Sequence, residues 1–167
     1  GRKCQEMGLP VRYKFKPIIP VRNWREEYAH IIEQALSRSK PESIGFCVIM
    51  WMDYNDLTER IDVNLLDEGY VKAAREASDQ LKGVRTGPFP HHVRAEIYRF
   101  LINEVRRWSK DVLLYVSTES REMWDELKDE LGQDPRAYIC GCSSVAVPGS
   151  RLALSDGLRC STYSPKP

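Results

Sequence analysis

The stretch that most constrains this chain is Val11 to Ile32, VRYKFKPIIPVRNWREEYAHII. Its first half alternates. Val11, Tyr13, Phe15 and Pro17 fall on one side of an extended backbone, and Arg12, Lys14 and Lys16 fall on the other, closing on Ile18 and Ile19. Pro20 lacks the N–H that a ladder requires, and it ends the strand. Asn23 carries the side chain of a helix N-cap, with Glu26 three residues on as in a capping box. Trp24, Tyr28, Ile31, Ile32 and Ala35 then recur at helical spacing. A strand delivered through a short loop into a helix is half of a βαβ unit.

The theme repeats. Ser43 to Trp51, SIGFCVIMW, is an almost continuous apolar run, the mark of a strand buried on both faces of a parallel sheet. Met52 to Asn64 is polar and irregular and reads as a loop. Leu66 to Lys82 is a predicted helix, with Val71, Ala74, Ala77 (or Ser78) and Leu81 inward and Gly83 as its stop. Residues 83–94, GVRTGPFPHHVR, hold two glycines and two prolines and form a loop. Pro90 suits the first turn of the next helix, whose stripe is Val93, Ile97, Phe100, Leu101, Val105 and Trp108. Val112 to Val116 is a short strand, Arg121 to Leu131 a helix ending at Gly132, and Ala137 to Val147 a last strand. The predicted class is α/β, a parallel sheet flanked by helices over residues 1–147, with a tail at 148–167. The opening GRKCQEMGLP reads as the end of a helix stopped by Gly8, so the chain is expected to belong to a longer protein.

Composition narrows the function. A formal net charge of +1 excludes a wholly basic, nucleic-acid-coating surface but not a local basic groove. No apolar run approaches the ~20 residues of a membrane span, so no membrane partner is expected. Five irregularly placed cysteines suit reduced thiols and a cytoplasmic location. No P-loop, G-x-G-x-x-G or Ser–His–Asp order occurs.

Several residues combine binding chemistry with a plausible place. His91 and His92, with Arg85 and Arg94, form a basic loop above a helix N-terminus, suited to a phosphate or to a structured loop with one capping histidine. In the phosphate reading Arg85, His91 and His92 anchor the group while Phe89 keeps water away. Ser117, Thr118 and Glu119 follow a strand, at the end where parallel α/β folds place their active sites; Thr118 or Ser120 also suits a helix cap. Trp51 ends a strand on the same face and is the tryptophan expected to meet a ligand; Trp24, Trp108 and Trp124 lie on helical stripes and are expected in the core. Arg12, Lys14 and Lys16 face either a polar cavity or the underside of a helix. Cys140 and Cys142 with Cys160 form either a metal site or inert buried thiols.

The order Gly8-x-Pro10, a strand ending in Pro17-Ile18, then Trp24-x-Glu26-Glu27-Tyr28 opening a helix resembles the C-terminal half of radical S-adenosylmethionine enzymes of the spore photoproduct lyase family. The later landmarks, Ile44 to Trp51, the basic glycine loop, the helix with Ile97 and Phe100, and Leu113 to Thr118, follow the same order. The resemblance implies the later βα units of a partial (β/α)6 TIM-like barrel. It also implies S-adenosyl-L-methionine and a [4Fe–4S] cluster in the complete enzyme, and DNA-lesion repair or related radical chemistry. Phe15, Pro17 and Ile18 would touch the cofactor; Trp51, Arg85, His91, His92, Ser117 and Glu119 would line the substrate groove. The chain lacks C-x-x-x-C-x-x-C, so the family's cluster ligands are absent from it. The implied partners are therefore an N-terminal radical half, covalent or separate, and DNA or a phosphorylated substrate. The competing expectation is a stand-alone α/β module that binds phosphate or nucleic acid through Gly83 to Arg94.

Overall fold

Three short strands carry the sheet: β1 (Arg12–Ile18), β2 (Ser43–Val48) and β3 (Leu113–Val116). In the computed structural model, which describes residues 1–132, they lie parallel in the order β1-β2-β3. The helices are α1 (Arg2–Glu6), α2 (Trp24–Arg38), α3 (Tyr54–Arg60), α4 (Glu68–Glu76), α5 (Ser78–Leu81), α6 (His91–Trp108) and α7 (Arg121–Leu131). The protein is thus α/β with a parallel sheet flanked by helices. The strand expected at Ala137 to Val147, the tail, and Cys140, Cys142 and Cys160 lie outside the described residues.

Register assigns the two faces. Tyr13 pairs with Ile44 and Ile44 with Leu114; Phe15 pairs with Phe46 and Phe46 with Val116. Strand alternation puts these residues on one face. There Phe15 meets Tyr28 of α2, and α2, α6 and α7 pack side by side. Ile32, Ile97, Leu101, Val105, Met123 and Leu127 complete this apolar core. The other face carries Arg12, Lys14 and Lys16, then Ser43, Gly45 and Cys47, then Leu113, Tyr115 and Ser117. Gly45 is required here: a Cβ would come within 2.2 Å of the Tyr115 ring. Lys14 and Lys16 are exposed.

Four expectations are corrected. Asn23 does not cap α2 with its side chain; it takes a left-handed conformation (φ 60°), and the turn is closed by backbone bonds from Val21 N–H to Ile19 and from Trp24 N–H to Val21. Left-handed geometry is tolerable for Asn, whose amide solvates its own backbone. The polar stretch 52–64 contains α3, held by a capping box between Asp53 and Asp56 and anchored by buried Leu57. The helix expected from Leu66 to Lys82 breaks at Ala77 into α4 and α5. Trp108, at the last turn of α6, projects outward and is 47% exposed, whereas Trp24 and Trp124 are buried as expected.

Candidate functional site at the carboxyl ends of the strands

Parallel strands deliver their carboxyl ends to one edge, and the chain does something irregular at two of the three exits. After β2, Ile49 and Met50 remain buried, and Trp51, itself 55% exposed, then turns at φ 65°. After β3, Ser117 N–H still bonds Phe46 O (2.8 Å), and Thr118 then turns at φ 67°. For a bulky or β-branched residue such a backbone is an outlier that costs about 1–3 kcal/mol, and strain of this kind gathers at functional sites.

Trp51 organises the edge. Its N–H bonds Arg85 O at 3.0 Å, tying the strand exit to the 83–88 loop. The loop lies so close that a Cβ on Gly87 would approach Met52 O to 2.6 Å. Lys16 Nζ sits 4.9 Å from the Trp51 ring centre and the Arg85 guanidinium 5.6 Å from it. Among the described residues neither cation has a carboxylate partner. A cleft of about 440 Å³ opens here between Trp51, Met52, Asp53, Asp56, Gly83, Val84 and Arg85. Asp53 Oδ1 accepts both the Asn55 and Asp56 N–H groups of the cap (2.9 and 3.0 Å), which leaves Oδ2 outside the cap.

Beneath this edge lies Cys47, on the polar sheet face. Burial pushes its thiol up, against the pull of Lys16, a hydrogen bond with Thr118 and the charge of Lys14; Glu119 adds to the rise. Within the described residues no group of three or more His, Cys, Asp or Glu could hold a metal ion.

The basic loop read from the sequence divides into separate places. Arg85 and Trp51 share the cleft. His91 instead joins α6 to α7: its Nε2 lies 2.6 Å from Glu126 Oε2 and its Nδ1 3.9 Å from Glu122. Hydrogen bonds from His91 and then Arg99 hold the Glu126 carboxyl below its ordinary range, against the opposing effect of burial. His92 is exposed, and Phe89 is wholly buried in the core rather than at a contact with ligand. Arg94 is buried and pairs with Glu119, whose side chain is fully enclosed; Nε and Nη2 lie 3.0 and 3.3 Å from its oxygens, and Nη1 donates to Phe89 O. Tyr98 donates to the same carboxylate at 2.8 Å and accepts Val48 N–H. Glu119 therefore holds the edge from behind, while Ser117 is buried with its hydroxyl 3.3 Å from that of Thr118. Ser120, not Thr118, caps α7 by accepting Met123 N–H.

Of the three residues placed near a cofactor by resemblance, Phe15 and Ile18 turn their side chains into the core, and Pro17 is exposed. Sequence reasoning left Lys16 between two roles and did not single out Asp53 or Asp56, although their D-x-x-D spacing is a readable capping signal. No protein family, curated protein or solved structure matches this chain.

Proposed function

We propose that the chain is the C-terminal section of a radical S-adenosylmethionine enzyme of the spore photoproduct lyase type, supplying later βα units of an open (β/α)6 barrel. The observation that carries this reading is the sheet itself. Its strands are parallel and sequential in order, its helices α2, α6 and α7 form one layer, and its other face bears two exposed lysines on β1. A barrel wall has that pattern: helices outside, polar groups toward a cavity, the reactive edge at the strand carboxyl ends. The Trp24 and Tyr28 landmarks fit it as well, since Trp24 fills the core and the Tyr28 hydroxyl accepts Ile19 N–H where β1 ends.

The described residues do not suit an iron–sulfur cluster: Cys4 is exposed on α1, Cys47 is buried in β2, and nothing gathers around either. In this reading the cluster belongs to the N-terminal half, and this section supplies a wall of the substrate groove for a nucleic-acid lesion or a related phosphorylated molecule. The test is anaerobic reconstitution of the longer protein, or of the chain with its N-terminal half, with iron, sulfide, a reductant and S-adenosylmethionine. 5′-Deoxyadenosine should form from the complete protein and not from this chain alone. A gene neighbourhood without an in-frame or adjacent C-x-x-x-C-x-x-C segment would sink the reading. Lys16 and Arg85 beside Trp51, without a carboxylate partner among the described residues, favour, as a second reading, a binding module that works without radical chemistry. A reversible two-state melt of the isolated chain, free of aggregation, is its expected signature.

A further inference from the structure

The cleft beside Trp51 has two walls of opposite charge. On one side Arg85 lines the cleft 5.6 Å from the indole centre, and Lys16, outside the lining, stands 4.9 Å from the same centre; neither cation has a carboxylate partner among the described residues. On the other side stand Asp53 and Asp56, with Asp53 Oδ2 outside the helix cap. Between them lies Trp51, a residue more than half exposed. At about 440 Å³ the volume falls within the range of small-molecule sites. A ligand that satisfies all three features carries a phosphate at one end, a planar ring in the middle and an N–H donor at the other end.

We propose that this cleft binds a nucleotide whose base bears an exocyclic amino group, its phosphate on Lys16 and Arg85, its ring against Trp51 and its amine on Asp53. Two cations suit a phosphate better than a carboxylate because of its higher charge and additional acceptor oxygens. The acidic wall selects among bases. Cytosine presents an amino donor where thymine presents a carbonyl acceptor, so a carboxylate placed at that exocyclic position finds a donor only on cytosine. The site takes a free mononucleotide or one unit of a single strand, since both present the same chemistry. Binding here needs no radical step, so its failure and that of the radical reading are separable.

Calorimetric titration of the intact chain with deoxycytidine and thymidine 5′-monophosphates reads the selection directly. The cytidine nucleotide is expected to bind about tenfold more tightly, the worth of one hydrogen bond. Asp53→Asn keeps a carbonyl oxygen for the α3 cap but turns the free atom into a donor, and it should reverse the preference toward thymidine. Lys16→Gln and Arg85→Gln should weaken both nucleotides alike. On short single strands each should lower the slope of log affinity against log salt by about 0.7. A cytidine strand that binds tighter than the mononucleotide assigns the site to nucleic acid; equal affinity assigns it to the free nucleotide. Circular dichroism melts verify that each variant is folded. Equal affinity for the two nucleotides, an unchanged preference in Asp53→Asn, parental binding by Lys16→Gln/Arg85→Gln, or no binding of any probe by the folded chain overturns the assignment.

Discussion

At the scale of single residues, Arg94 and Glu119 decide what the candidate edge looks like. Their side chains are 3% and 0% exposed, and the carboxylate also accepts a bond from Tyr98. Charges so enclosed are tolerable only as a pair, and removing one partner leaves the other without water or counter-ion. Arg94→Met should therefore lower the urea-unfolding free energy by about 3–5 kcal/mol, whereas Arg94→Met combined with Glu119→Leu should recover most of that loss. A single variant as stable as the parent would show that water reaches the pair. The same pair explains why the sequence foretells some of the side-chain neighbours at this edge and not others. Trp51 and Arg85 do meet at one cleft, because an aromatic at a strand exit and a cation in a glycine loop both point to surface function. Glu119 sits where the active edge was expected, yet its charge is spent on a residue 25 positions earlier in the chain. His91 is likewise taken up by Glu126 of α7. No local pattern announces which cation a carboxylate will choose.

At the scale of elements, legibility follows period and length. β2 is unmistakable as an apolar run, and α7 has both end signals, Ser120 bonding Met123 N–H and Gly132 left-handed at φ 69°. Short, polar α3 has one buried apolar anchor, Leu57, so periodicity is silent there and only the Asp53–Asp56 cap marks it. The break at Ala77 is invisible for the opposite reason: Ala is the best helix former, and tertiary packing overrides its preference. Across the sheet, Gly45 shows how one element is fitted to the next. Its neighbour in β3, Tyr115, lays its ring over the missing side chain, and a Cβ would meet two ring carbons at 2.2 and 2.4 Å. Gly45→Ala should thus destabilise by about 1–3 kcal/mol through overpacking, although Ala is the better strand former. Gly69, whose nearest described neighbour is the end of the Asp67 side chain at 3.2 Å, is the control and should accept Ala far more cheaply in the same denaturation assay.

At the scale of the whole molecule, two tyrosines fasten the helix layer to the carboxyl edge of the sheet and a third ties the helices to one another. Tyr28 of α2 accepts Ile19 N–H beyond β1, and Tyr98 of α6 accepts Val48 N–H at the end of β2 while donating to Glu119 beyond β3. Tyr70 of α4 accepts a bond from Arg25 of α2 and donates to Glu96 of α6, itself paired with Arg25. Each works as a neutral phenol. Burial first, and then the Glu96 charge, push the Tyr70 hydroxyl up to about 12; burial followed by Glu119 raises Tyr98 well above its usual value, and burial raises Tyr28. An acid whose folded value is raised stabilises the fold fully below its unfolded value, about 10 for tyrosine, and loses that contribution as pH climbs toward the folded value. Over that window the unfolded chain has already released protons that the native one keeps, so stability must fall. The denaturation midpoint should drop as pH climbs above ~10. Tyr70→Phe removes one of the three protons and should flatten the slope between about 10 and 12. A midpoint indifferent to pH across that window, or a slope unchanged by Tyr70→Phe, would mean that these buried phenols do not hold the helices in place.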